Sequence, residues 1–124
     1  MAYTLQPGRN DFRGGKNILA SEHLQYLEAG ATLDAEVFGA GYIEVGTAIA
    51  RNTTTGKFEP FTTAEGYDEF SILNIDVECN GEDDIIVGEV IVRGSVYDAK
   101  LPDNVTEEFK ELTRPMIRYV KEII

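Results

Sequence analysis

The chain has 124 residues, 43% of them hydrophobic and 27% charged, with 22 acidic against 11 basic side chains and a formal charge of −11. A chain of this length forms one domain that buries about two-thirds of its unfolded surface, and its negative charge repels phosphate backbones and anionic membranes, which argues against nucleic-acid and membrane partners. No apolar run reaches the ~20 residues needed to cross a bilayer, the start MAYTLQP lacks a basic region followed by an apolar core, and Cys79 is the single cysteine, so a soluble protein without an internal disulfide or a cysteine-based zinc site is expected.

Residues 1–17 contain Pro7, Gly8, Gly14 and Gly15 and show neither helical nor alternating periodicity, the composition of a flexible N-terminal arm. The arm is opposite in charge to the rest of the chain. Arg9, Arg13 and Lys16 stand against Asp11 alone, a net of +2, which leaves −13 for residues 18–124. Tyr3, Leu5 and Phe12 are its apolar anchors, and with Arg9, Arg13 and Lys16 they make the candidate partner-binding set; a disordered terminus is the alternative reading. Residues 18–28 (ILASEHLQYLE) fit a helical turn and an extended piece equally well, so the arm ends at 17 or extends as far as 30.

From Ala31 to Val37, Leu33, Ala35 and Val37 alternate with Thr32, Asp34 and Glu36, which predicts a half-buried strand broken by Gly39-Ala40-Gly41. Residues 42–52 and 57–61 flank Thr53-Thr54-Thr55-Gly56 and predict a β-hairpin, whose second arm must sit at an edge or end quickly because Pro60 cannot donate to a ladder. After a polar loop at 62–69, Leu73, Ile75 and Val77 alternate with Asn74, Asp76 and Glu78, predicting one strand across 71–78. Asn80-Gly81 is a strong turn signal, so the flanking strands are expected to pair antiparallel. Residues 85–92 are apolar at both parities, as in a strand covered on both faces, with Gly88 and Gly94 marking bulges or close approaches. Asn104 with Glu107 reads as a capping box for a helix that presents Val105, Phe109 and Leu112 on one face. Pro115 limits that helix, and residues 117–124 return as a final strand or short turn. The expected fold is α+β and mostly β: a small barrel-like or sandwich-like domain over 18–124 with one late helix, preceded by the arm.

The inventory for chemistry is thin. Ser21 and His23, the only histidine, lie two positions apart without a nucleophile-elbow context, and Cys79 has no basic activator nearby in sequence. Glu82-Asp83-Asp84 lacks the spacing of a calcium loop, and the glycines form no phosphate-binding fingerprint. No catalytic residue, metal or cofactor is expected, and the chain does not read as an enzyme.

Four pieces in succession carry a resemblance: Val45-Gly46-Thr47-Ala48-Ile49-Ala50; Thr55-Gly56-Lys57-Phe58-Glu59-Pro60-Phe61; Val90-Ile91-Val92-Arg93-Gly94-Ser95-Val96-Tyr97; and Leu101-Pro102 before a helix. Their order and spacing over residues 31–124 resemble the bacteriophage head decoration protein D family. Residues 18–30, with Tyr26 and Leu27, have no counterpart in that pattern. The resemblance implies a virion protein made in the host cytoplasm that assembles as a homotrimer at three-fold positions on the exterior of an expanded capsid. There it cements the major capsid protein, with its N-terminal arm ordered on the shell. The rival is a carbohydrate-binding or host-surface-binding β-domain of a phage virion, which would stack sugars on exposed Tyr42, Tyr67 and Tyr97. The absence of tryptophan weakens that rival.

Overall fold

The organising element is the longest strand, β9 (Val90–Tyr97). The computed structural model describes residues 17–121. Along one edge of β9 runs the segment from Ile18 to β1 (Gln25–Tyr26), joined by the Leu19↔Val96 bridge and the pairs Gln25↔Arg93 and Tyr26↔Ile91. The other edge is shared: β6 (Tyr67–Leu73) pairs antiparallel through Ile72↔Ile91 and Leu73↔Val90, and β10 (Ile117–Val120) pairs parallel from Ile117↔Gly94 to Val120↔Tyr97. Beyond β6 the sheet continues through β4 (Ala48–Asn52), β5 (Phe58–Pro60) and β2 (Ala31–Leu33) to β8 (Ile85–Val87), with β10 off this path. A separate ribbon pairs β3 (Ala40–Ile43) with β7 (Val77–Asn80). The fold is therefore α+β and mostly β, with the main sheet curled into a half-barrel.

The sheet separates two apolar clusters. One gathers Ile18, Val45, Ala48, Phe61, Ile72, Ile91, Val96 and Phe109; the other gathers Leu33, Ile49, Phe58, Leu73, Val77, Cys79 and Val90. Residues 85–92 are not one strand: the run divides at Gly88-Glu89 into β8 and β9, and cover on both faces holds for Val90 and Ile91, which enter different clusters, but not for β8, where Ile86 is exposed. The hairpin turn forms as its chemistry predicts, but the first arm is shorter than residues 42–52: only β4 pairs with β5, while Tyr42 and Ile43 belong to β3 of the ribbon, which begins at Ala40 inside the Gly39-Ala40-Gly41 stretch. Asn52 Oδ1 accepts the Thr54 and Thr55 N–H groups, and β5 stops at Pro60.

Four further local expectations are corrected. Residues 31–37 are not one strand: Asp34 accepts the Glu36 N–H and caps a single helical turn, α1 (Ala35–Phe38), so a second helix joins the late one and Val37 is half exposed. Residues 71–78 likewise divide, because Asp76 accepts the Val45 N–H at 2.8 Å and Ile75 is turned outward between β6 and β7. Asn80-Gly81 does turn the chain, with Asn80 Oδ1 accepting the Glu82 and Asp83 N–H groups, yet it leads from β7 in the ribbon to β8 in the main sheet. The strands it joins pair with others. Finally, Thr106, not Asn104, caps the late helix α2 (Glu107–Thr113) by accepting the Phe109 N–H, and the inward face carries Phe109 and Thr113 while Leu112 is exposed.

Asn104 is instead spent on β4. Its Nδ2 donates to the Ala48 carbonyl at 2.8 Å and its Oδ1 accepts the Ala48 N–H at 3.1 Å, closing a side-chain bridge between the α2 approach and the sheet. The Gly88 step separates β8 from β9 in open space, whereas Gly94 is a close approach, where an added Cβ would meet the Leu24 Cβ at 3.1 Å.

Candidate interaction surface

Tyr3, Leu5, Arg9, Phe12, Arg13 and Lys16 lie outside the described residues. The place from which they depart is well defined. Asn17 O accepts from Lys100 Nζ at 3.2 Å, and its Oδ1 accepts the Leu19 N–H at 3.0 Å. Ile18 is fully buried, its carbonyl accepting the Tyr97 N–H at 2.8 Å, and the Ala20 N–H donates to the Ser95 carbonyl at 2.9 Å. A pull on the N-terminal segment is thus borne by β9, the strand that ties the most partners together.

The surroundings of Ile18 are built for close packing. Gly46, at φ +96°, brings its backbone so near that an added Cβ would sit 3.0 Å from Pro102 Cδ, 3.3 Å from Leu101 Cδ2 and 3.6 Å from Ile18 Cγ2. A side chain there is strained by both conformation and space. The departure point is accordingly rigid.

A second surface lies at the far end of the sheet. β8 pairs with β2 through Ala31↔Val87, Thr32↔Ile86 and Leu33↔Ile85 and has no strand beyond it among the described residues. The Asp34 N–H donates to the Phe58 carbonyl at 2.9 Å, so the even-numbered positions of this stretch turn their backbone groups to β5 and the odd-numbered ones to β8. Ile86, opposite Thr32, therefore turns its own N–H and carbonyl away from the sheet. Its side chain is 76% exposed, the most exposed of the large apolar residues described. Glu82, Asp83 and Asp84 precede this strand and Glu89 follows it. Lys57 binds Asp84 at 2.7 Å, and the Ala35 N–H also donates to that carboxylate; both bonds hold Asp84 below the ordinary carboxylate range. Glu82 and Asp83 carry no salt bridge among the described residues.

Leu112 and Met116 are also exposed and flank an open groove of about 290 Å³ with Phe70, Val92 and Arg93. It forms where the edge of β9 passes from β6 to β10. The sequence pattern did not single out Ile86, Leu112 or Met116 as exposed. For Ile86 a signal existed: Asp84 and Gly88 confine the run to three residues, too short to be covered on both sides.

The remaining chemical groups are engaged structurally. The Ser21 hydroxyl accepts the backbone N–H of His23, an ordinary local turn, and His23 is exposed. Cys79 is buried with its thiol toward the Ala35 carbonyl at 3.8 Å. Among the described residues no cluster of three or more His, Cys, Asp or Glu has metal-binding geometry, and no helix is long and apolar enough to cross a membrane. The three tyrosines considered for stacking are partly buried. Tyr67 donates to Glu59 Oε1 at 2.6 Å, which raises its pKa, and Lys100 Nζ sits 4.8 Å from the centre of the Tyr97 ring. A scan of family models, a search of curated proteins and a search of solved structures each gave no match to this chain.

Proposed function

We propose that this is a structural protein of a phage virion, which decorates the exterior of an expanded capsid as trimers at three-fold positions and cements neighbouring shell subunits. One observation carries the reading: the segments that resemble the decoration family converge on the point where the N-terminal segment departs. Gly46 from the first piece and Leu101-Pro102 from the last pack around Ile18, and Val96 from β9 joins the same cluster. Residues brought together for catalysis would surround a cleft with acid, base or nucleophile. These surround a mechanical anchor.

A cement protein performs no chemistry. By binding the expanded lattice and not its precursor it stabilises the former by mass action, and several arms engaged together add avidity. The basic side chains Arg9, Arg13 and Lys16 supply attraction to an acidic partner surface that falls with salt. Purified protein mixed with expanded and unexpanded heads, then imaged, tests this directly: density at three-fold positions of the expanded heads alone is expected. Removing residues 1–16 is expected to abolish that density, with circular dichroism confirming that the body remains folded. Normal decoration by the shortened chain would overturn the role of the arm, and equal binding to both head forms would overturn cementing.

A further inference from the structure

We infer that β8 is the acceptor for the N-terminal segment of a second copy of this chain, residues 3–6 adding to it as an antiparallel strand. The contact concerns how copies join one another and stands whether or not the shell is their final partner.

Ile86 presents an N–H and a carbonyl outward, on a strand with no neighbour beyond it among the described residues, beside an apolar side chain that is 76% exposed. An extended peptide satisfies all three at once, through two main-chain hydrogen bonds and one apolar contact. Tyr3-Thr4-Leu5-Gln6 has the sequence for that role: four residues precede Pro7-Gly8, which would end any ladder, and in an added strand Tyr3 and Leu5 would share one face.

Charge then selects the occupant and the direction. Two β8 strands brought edge to edge would set Glu82, Asp83 and Asp84 of one copy against the same residues of the other, a repulsive arrangement of the kind that guards sheet edges. A basic strand meets the opposite situation. In antiparallel addition the residues after Gln6 run toward Asp84, Asp83 and Glu82, which places Arg9 among them, with Arg13 and Lys16 following.

Reach favours a second copy over the same one. The chain enters the body at Ile18 beside Tyr97, whereas β8 adjoins the opposite end of β9, about 26 Å away along eight residues of strand. With residues 3–6 paired, residues 7–16 remain as the link, and fully extended they span about 33 Å. A route over the surface of a domain with a radius of gyration of ~14 Å, bent at both ends, is longer than the straight separation, so a contact within one copy leaves the link little slack. A neighbouring copy imposes no such constraint. A contact from arm to edge is heterologous, so it closes into a ring where the rotation permits.

Full-length variants test this by complementation. Ile86→Pro removes the outward N–H while leaving the Ile85 and Val87 bonds to β2, and Leu5→Pro prevents the arm from pairing. Light scattering across concentration is expected to show association of the unaltered chain, at least tenfold weaker association of either variant alone, and a dimer when the two variants are mixed, because one keeps its arm and the other its edge. Hydrogen exchange is expected to protect the Ile86 amide only in the associated form. Should Ile86→Pro disturb the fold by circular dichroism, Ile86→Lys replaces it, its charge opposing the basic segment. A monomeric unaltered chain, undiminished association of the edge variants, or an Ile86 amide protected in a monomer would each overturn the proposal. The last of these would assign the edge to the chain's own arm, and loss of shell binding by Ile86→Pro from a monomeric chain would assign it to the shell protein.

Discussion

The two edges of the main sheet are finished in opposite ways. On the edge formed by residues 18–26, side chains take up outward-facing donors: Asn17 Oδ1 accepts the Leu19 N–H and Ser21 Oγ accepts the His23 N–H. These local bonds offer the backbone an alternative to another strand. The residue at the head of that edge, Ile18, is wholly buried. At β8 the corresponding position, Ile86, is exposed in both backbone and side chain, and protection is left to the acidic residues on either side. One edge is blunted by side-chain caps, the other only by its acidic flanks. The difference separates anchoring, which needs rigidity, from recognition, which needs an unsatisfied surface.

The contrast between the edges breaks most visibly if Ile18 and Ile86 respond alike. Ile18→Ala removes a side chain from the centre of the cluster that holds Phe109, Phe61 and Val96, so a loss of about 2–5 kcal/mol is expected. Ile86→Ala is expected to change the stability of the isolated chain by no more than about 0.5 kcal/mol. Urea unfolding of both variants at a concentration too low for association measures the two values. Asn104 gives the next largest effect, since its side chain satisfies both backbone groups of Ala48 on the anchored side. Asn104→Ala leaves the partly buried Ala48 N–H without a partner, while the Ala48 carbonyl keeps its bond from the Phe61 N–H, and is expected to cost about 1–3 kcal/mol. Asn104→Asp, which keeps an acceptor for the Ala48 N–H but loses the donor, is expected to fall between Asn104→Ala and the unaltered chain.

How far the sequence led depended on whether a pattern was local. The turn between β4 and β5 was legible because Asn52, Gly56 and Pro60 act on their immediate neighbours, and the cover on both faces of β9 because Val90 and Ile91 stand at successive parities, whereas the division of 42–52 and of 85–92 into separate strands was not. At three of the places where sequence and structure part, a polar side chain bonds far along the chain. Asp76 reaches Val45, Asn104 reaches Ala48 and Asp84 reaches Ala35, and each accompanies an apparent strand or cap that becomes something else. Alternation in Leu73, Ile75 and Val77 could not reveal that Asp76 was already committed. The candidate surface followed the same rule. The departure of a basic segment was visible in composition, but the open edge of β8 depends on which strands fail to pair, and periodicity within one strand is silent on that.

Removing the side-chain caps probes the closed edge at smaller energy. Asn17→Ala with Ser21→Ala frees two exposed N–H groups that water can solvate, so the loss of stability is expected to be a few tenths of a kcal/mol, well below a typical buried hydrogen bond. The larger consequence is expected in association. An edge stripped of its caps becomes open to added strands, and the double variant should self-associate more strongly even when Ile86→Pro is present. No gain in association would mean that the caps do not close that edge.

Acid has a weaker effect and distinguishes the β8 side from the rest. Hydrogen bonding from Lys57, then from the Ala35 N–H, holds the Asp84 carboxyl low, and hydrogen bonding from Arg51 does the same for Asp68 on the β4–β6 pair. A carboxyl whose folded pKa is depressed adds stability above the unfolded value, and that stability is lost as pH falls through the folded value. Both pairs therefore support the fold at neutral pH and fade below about pH 4. Each is exposed and screened, so the change is expected to be small. Lys57→Met should flatten the acid limb for β8, measured as exchange of amides in residues 85–87 between pH 3 and 6, while leaving that for β6 unchanged; Arg51→Met should do the reverse. If either variant flattened both limbs together, the two ends of the sheet would be unfolding as one unit in acid, and the separation between a rigid anchored side and an independently adjustable edge would fail there.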